Sequence, residues 1–171
     1  MKKFELTTDC ITAHETKLYR IKALRGFGNI KAGELGGYVE KEGNLGQDGN
    51  AWVYSNAQVY GDAQVYDNAQ VCGNARVCSD ARVCGDARVY DNARVYDNAD
   101  ILYITGLGTK HRTTTVFRTR VGIKIACGCF FGSPEEFKKQ VVSTREGKAR
   151  EEYLKFAELT EIYFSDKSER Q

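Results

Sequence analysis

From Gly49 to Leu102 the chain runs in an unbroken six-residue period: GNAWVY, SNAQVY, GDAQVY, DNAQVC, GNARVC, SDARVC, GDARVY, DNARVY, DNADIL. Each hexad opens with Gly, Ser or Asp, continues with Asn or Asp, places Ala third and Val or Ile fifth, and usually ends in Tyr or Cys. A helix of 3.6 residues per turn would spread the valines around its whole surface, so the period is not helical. Ala and Val lie two apart, which puts both on one side of an extended segment. The Gly, Asn and Asp residues between segments tolerate the left-handed backbone of a corner. Each hexad is therefore a short strand plus a corner. Successive coils stack, each pairing its backbone groups with the coils above and below.

The unit Val-Tyr-Gly-Asp-Ala-Gln at 59–64 resembles the hexapeptide repeat of left-handed parallel β-helices. That resemblance implies three hexads per triangular coil, so that side chains eighteen positions apart stack in columns. Nine hexads would make three coils, a tract on the order of 15 Å long at the usual strand spacing. Residues 30–45 predict one further irregular coil, with Val39 and Leu45 in phase with the alanine position. The stretch LGGYVE…NL…GNAWV resembles the YdcK-type β-solenoid proteins of bacteria and their phages, over about residues 1–102. The expected fold class is mainly β: a three-sided left-handed parallel β-helix of three to four coils with a small α+β C-terminal cap. Residues 4–23 alternate like a β-hairpin and would cover the open edge of the first coil. The expected organisation is an N-terminal β cap over 1–29, the solenoid over 30–102 and a C-terminal ββαα unit over 103–171.

Within that last unit, residues 103–106, 113–120 and 121–131 are rich in strand-forming residues, the last two stretches being joined by a tight turn. Ser133-Pro134-Glu135-Glu136 then carries the signature of a helix start: a capping serine, proline in the first turn and a glutamate that reaches back to the cap. The first helix is expected to run to Thr144. A second, over 148–164, has Tyr153, Phe156, Ala157, Thr160 and Phe164 at helical spacing. Around GCFFGSPEEF the unit resembles a small domain attached to many phage proteins. It would cover the solenoid's terminal edge.

Charge sets bounds on function. Twenty-five Lys and Arg against twenty-three Asp and Glu leave +2, which gives no general case for nucleic-acid binding. No apolar run approaches membrane-spanning length, and no apolar stretch follows the basic N-terminus, so the expectation is a cytoplasmic protein with no membrane contact. Six cysteines in a reducing compartment read as thiols. Cys72, Cys78 and Cys84 are six apart, hence on three sides of a coil, and cannot converge on one metal ion. Cys127 and Cys129 share a strand face but lack Cys-x-x-Cys spacing, and structural thiols are the better reading. No metal and no cofactor are expected.

The stacking rule predicts outward columns Tyr54-Cys72-Tyr90, Tyr60-Cys78-Tyr96 and Tyr66-Cys84-Leu102. The variable position adds Trp52-Gln70-Arg88, Gln58-Arg76-Arg94 and Gln64-Arg82-Asp100. Tyr supplies stiff apolar area and Arg a fork for carboxylate or phosphate. The expected binding residues are therefore Tyr90, Tyr96, Arg76, Arg82, Arg88 and Arg94. Lys110 and Arg112 join them, from a glycine-rich cationic turn suited to an anion. For any one of these residues, decoration of a solvated surface is the simpler alternative. The expected function is non-enzymatic binding. The family resemblance implies a phage or prophage protein acting on a host protein or defence complex, as an inhibitor or by sequestering a nucleotide or other anionic ligand. Many left-handed β-helix proteins are trimeric acyltransferases that bind coenzyme A and use a histidine as base. That makes a CoA-dependent acyltransferase the alternative, with His111 ahead of His14 as the weak catalytic candidate; neither sits on a loop projecting from the coils. A structural module forming a homotrimer or other homo-oligomer is the third reading.

Overall fold

The computed structural model describes residues 1–165. Its centre is a three-turn parallel β-solenoid, made of two-residue strands at the fourth and fifth positions of each hexad. These are β4 (Trp52–Val53), β5 (Gln58–Val59), β6 (Gln64–Val65), β7 (Gln70–Val71), β8 (Arg76–Val77), β9 (Arg82–Val83), β10 (Arg88–Val89) and β11 (Arg94–Val95). Strands eighteen residues apart pair in register: Trp52 with Gln70, Gln70 with Arg88, Gln58 with Arg76, Arg76 with Arg94, and Gln64 with Arg82. Every alanine and valine from Ala51 to Val95 is fully buried, so the inside of the coils is a stacked Ala/Val core. The first residue of each corner takes the left-handed conformation, whether it is Gly (Gly49, Gly61, Gly73, Gly85) or not (Ser55, Asp67, Ser79, Asp91).

Three faces result. The first is extended by the N-terminal hairpin: β1 (Phe4–Ala13) and β2 (Thr16–Ala23) pair antiparallel, β2 pairs with β3 (Leu35–Val39), and the sheet order is β1-β2-β3-β5-β8-β11. The second is β4-β7-β10 and the third β6-β9. The hairpin thus continues the solenoid's own ladder, and Phe4, Ile21, Phe27 and Ile30 join its core.

The first coil departs from the expected phase. Val39 pairs with Val59 and Leu45 bridges Val65, so both lie under the valine column and not the alanine column. Leu45 and Val53 are eight positions apart instead of six. The two extra residues fall in Gly46–Asn50, where the chain turns below the second face. Trp52 also departs from its expected exposure. It occupies an outward position yet is fully buried, edge-on against Phe27 (centroids 5.3 Å apart) and Phe4 (6.4 Å).

The coil carries eight hexads, not nine. Asp97 accepts a hydrogen bond from the Ala99 amide, and Asp100 accepts from the amides of Tyr96 and Asp97. These caps wind Asn98–Asp100 into a short 3-10 turn. The chain then leaves the ladder as β12 (Ile101–Leu107), which pairs with β13 (Arg112–Thr119). Leu102 consequently faces Val116 and does not stack on Cys84, and Asp100 turns inward instead of continuing the Arg82 rank.

The C-terminal unit has four strands before its helices, a correction to ββαα. β14 (Gly122–Cys127) and β15 (Phe130–Gly132) split the single strand expected over 121–131, because the chain reverses at Gly128 with φ +61°. Cys127 therefore ends a strand and accepts a hydrogen bond from Thr114, while Cys129 lies exposed in the turn; they do not share a strand face. Helices α1 (Pro134–Thr144) and α2 (Gly147–Ser165) follow, and Ser133 and Glu136 form the expected reciprocal cap. The sheet has two apolar sides, as strand alternation demands. Phe117 and Ala126 close the top of the solenoid core, whereas Val116 and Ile125 pack on Phe137, Tyr153, Phe156 and Phe164 of the helices.

Candidate functional site

Outside the core, each face carries one rank of variable residues. On the second face the rank is Trp52, Gln70, Arg88. Beside it the corner residues form an amide ladder: Asn50 donates to Asn68 over 3.0 Å, and Asn68 donates to Asp86 over 3.1 Å. The turn between β12 and β13 overhangs this face, held at its base by the Arg88 amide donating to the Thr115 hydroxyl over 3.1 Å. The loop at Gly28–Ile30 forms the opposite lip. A cleft of about 580 Å³ lies between them, with Tyr54, Gln70, Arg88, Lys110, His111 and Arg112 among its walls.

The charge in the cleft is one-sided. Arg88, Lys110 and Arg112 face it, and among the described residues that line it Asp86 is the one carboxylate. Among the described residues, no carboxylate lies within ion-pair distance of those three cations. His111 is exposed, with left-handed backbone (φ 47°) and its Nδ1 3.2 Å from the Gly106 carbonyl. Gly128 lets the Arg112 side chain pass close to the backbone, because a Cβ at that position would overlap the guanidinium.

The other expected binding residues lie elsewhere. Positions six apart sit on different faces, so Arg76, Arg82, Arg88 and Arg94 do not form one surface. Arg76, Arg94 and Tyr96 belong to the first face. Arg82 is exposed on the third, where its amide donates to the Asn98 side chain. Tyr90 is half-buried, its ring edge-on to Phe131 at 6.1 Å, so it serves the packing of the C-terminal unit. The Tyr54-Cys72-Tyr90 and Tyr60-Cys78-Tyr96 columns run as the eighteen-residue stack demands: the amides of Tyr54, Cys72, Tyr60 and Cys78 each donate to the valine carbonyl of the next coil. The third column ends at Cys84, whose Sγ meets the Tyr103 hydroxyl at 2.6 Å. That hydrogen bond, and then burial, push the Tyr103 phenol up to about 12. Burial pushes the Cys72 thiol up to about 11, so it is held as a neutral thiol, not a nucleophilic thiolate.

Several contributors escape sequence reasoning. His14 stands at the tip of the β1–β2 hairpin, stacked on Tyr60 with centroids 6.2 Å apart and Nε2 2.8 Å from Arg76. Arg120, in the β13–β14 turn, reaches the neighbourhood of Arg94 because Ala93 bridges Thr119. The Asn50-Asn68-Asp86 ladder was readable, since its members are eighteen apart. The two contacts across the caps were not, because no repeat arithmetic connects hairpin tips to coils.

No curated protein matches the chain. Residues 69–85 and 81–97 each match the family model of the YdcK beta solenoid repeat, so the central coils are similar to that repeat in sequence as well as in winding.

Proposed function

We propose that the protein is a non-enzymatic binding protein that holds an anionic small ligand in the cleft between β10 and the β12–β13 turn. The observation that supports this reading is the convergence of Arg88, Lys110 and Arg112, from two separate stretches of chain, on one cleft with no carboxylate among the described residues in ion-pair reach. Its 580 Å³ lies within the range of about 300–1,000 Å³ usual for small-molecule sites. The Asn and Gln amides supply both donors and acceptors, and Tyr54 a planar surface, which together suit a nucleotide better than a bare ion. In a phage- or prophage-encoded protein, as the sequence resemblance implies, such a site would sequester a host nucleotide signal. Titration calorimetry with mono-, di- and cyclic nucleotides tests it. Arg88→Glu or Arg112→Glu should weaken binding at least about tenfold, the loss of one charge-assisted contact. Arg82→Glu, on the third face, should leave it unchanged. A chain that takes up none of these ligands is not a nucleotide sequestrant.

His111 gives a second reading some support, because it lines the same cleft and only its Nδ1 is engaged, 3.2 Å from the Gly106 carbonyl, among the described residues. A base there would suit acyl transfer from coenzyme A. Thiol release from acetyl-CoA with a panel of amine and hydroxyl acceptors, lost in His111→Ala, would favour the enzyme over the binder.

A further inference from the structure

On the first face, β11 lies on β8 in parallel register with the Arg94 Cα opposite that of Arg76. The turn after β13 brings Arg120 alongside through the Ala93–Thr119 bridge. Arg94 is only 8 % exposed. Its five N–H donors find two acceptors, the carbonyls of Asn74 and Ala93, both through Nη1 and both long, at 3.5 and 3.4 Å. Among the described residues no carboxylate pairs with Arg76, Arg94 or Arg120. Burial first, and then the charges of Arg76 and Arg120, pull the Arg94 guanidinium below its ordinary value.

Stacked cations with no carboxylate partner among the described residues are unfavourable, and the Arg94 Nε and Nη2 groups meet no protein acceptor there. Nearby groups do not relieve this. None of them is a carboxylate: His14 Nε2 lies 2.8 Å from Arg76, and Tyr60 and Tyr96 stand in the adjoining column. An incoming oxyanion relieves the repulsion and accepts from those open N–H groups at once. Three neighbouring guanidinium groups offer enough donors for the several oxygens of a phosphate, more than the two oxygens of a carboxylate can use.

We propose that Arg76, Arg94 and Arg120 form a phosphate-binding site on the β5-β8-β11 face, separate from the cleft at Arg88. The ligand is either free inorganic phosphate or the phosphate group of a larger molecule. The site does not depend on the reading of the cleft.

The full chain is titrated with inorganic phosphate and, in a second arm, with adenosine 5′-monophosphate, each against sodium chloride at matched ionic strength. Binding is read by calorimetry and by the thermal midpoint. At millimolar phosphate the midpoint should rise by about 2 °C or more over the chloride control, the shift expected when a ligand binds only the folded state. Arg120→Gln, an exposed turn residue with no part in the core, should weaken binding at least about tenfold, and Arg94→Gln should abolish it. Arg88→Gln should leave the phosphate response intact. With the cleft silenced by Arg88→Gln, comparable affinity for the two probes assigns the site to the free ion, whereas markedly tighter binding of the nucleotide assigns it to a phosphate on a larger ligand. The proposal is overturned if neither probe binds beyond the chloride control, if the response survives Arg76→Gln with Arg120→Gln, or if Arg88→Gln removes it.

Discussion

The Lys3 ammonium donates to the Ala51 carbonyl over 3.0 Å and to the Asp48 carbonyl over 3.3 Å, in a fully buried position 5.0 Å from the centre of the Phe27 ring. Burial, and then the charge of Arg25, lower its pKa to about 8. In the unfolded chain the value is about 10.4. Between those two pH values the unfolded state holds a proton that the folded state has released, so the stability contributed through Lys3 rises with pH across that window. Lys3→Met keeps the stem and removes the charge. Denaturant unfolding at pH 7 and at pH 10.5 should show the native chain gaining on the variant by on the order of 2–3 kcal/mol. Parallel pH curves for the two proteins would mean that Lys3 is solvated.

Two corner glycines with nearly equal φ should respond differently to alanine. Gly49 (φ +66°) lies against the coil above, where a Cβ would overlap the Asp67 carbonyl oxygen. Gly85 (φ +62°) lies near the end of the solenoid, where a Cβ would meet only the Tyr103 ring at 3.9 Å. Left-handed backbone alone costs an alanine about 1 kcal/mol. Gly85→Ala should lose about that much, and Gly49→Ala roughly 3 kcal/mol or more, because rigid backbone must also move. Equal losses at the two sites, measured by chemical denaturation, would contradict the close stacking of the first two coils.

Cys72 sits in the column between Tyr54 in the coil below and Tyr90 in the coil above, a small residue between two large ones. With its thiol raised to about 11 by burial, the folded state keeps a proton that an unfolded thiol loses near 8.5. Stability therefore falls as pH rises from about 8.5 through 11. Cys72→Ala removes this contribution and should flatten the alkaline slope by roughly 2 kcal/mol across that range. Unchanged slopes in urea titrations at pH 8, 9.5 and 11 would place the thiol in contact with water.

Much of this fold was legible because a hexad repeat is a local signal with a global meaning. Once Ala and Val are two apart and corners recur every six, the interior follows. So do the partners of Gln70 and Arg76, each found by counting eighteen. What the period could not reveal lies where it breaks. The two extra residues before Val53 shift Val39 and Leu45 into the valine column, and nothing in the hydrophobic pattern distinguishes that phase from the other. Asp97 and Asp100 carry a readable capping pattern, but within a ninth hexad that still matches the repeat; the caps win because they satisfy three amides at once. The candidate sites were legible only by residue type. Arg88 meets Lys110 and Arg112, and Arg94 meets Arg120, because the C-terminal sheet folds back over the coils, a long-range event with no local signature.

That fold-back is pinned by Asp100 and Arg118. Asp100 is almost fully buried; one carboxylate oxygen lies 3.2 Å from Arg118 Nε, and the other accepts from the amides of Tyr96 and Asp97. Arg118 in turn donates to the Phe164 carbonyl over 3.1 Å and lies over the Phe164 ring, tying the end of α2 to the end of the solenoid. The two partners are not equivalent. Removing Asp100 strands a largely buried guanidinium and two backbone amides together, which should cost about 3–5 kcal/mol in Asp100→Ala. In Arg118→Met the carboxylate keeps both amide donors, so the loss should be nearer 1–2 kcal/mol. In the double variant the guanidinium is gone as well, so its stability should lie well above the sum of the two losses. Chemical denaturation of all three variants measures the coupling. Additive losses, or a costlier Arg118→Met, would mean that Asp100 and Arg118 do not act as a pair in joining the solenoid to the C-terminal unit.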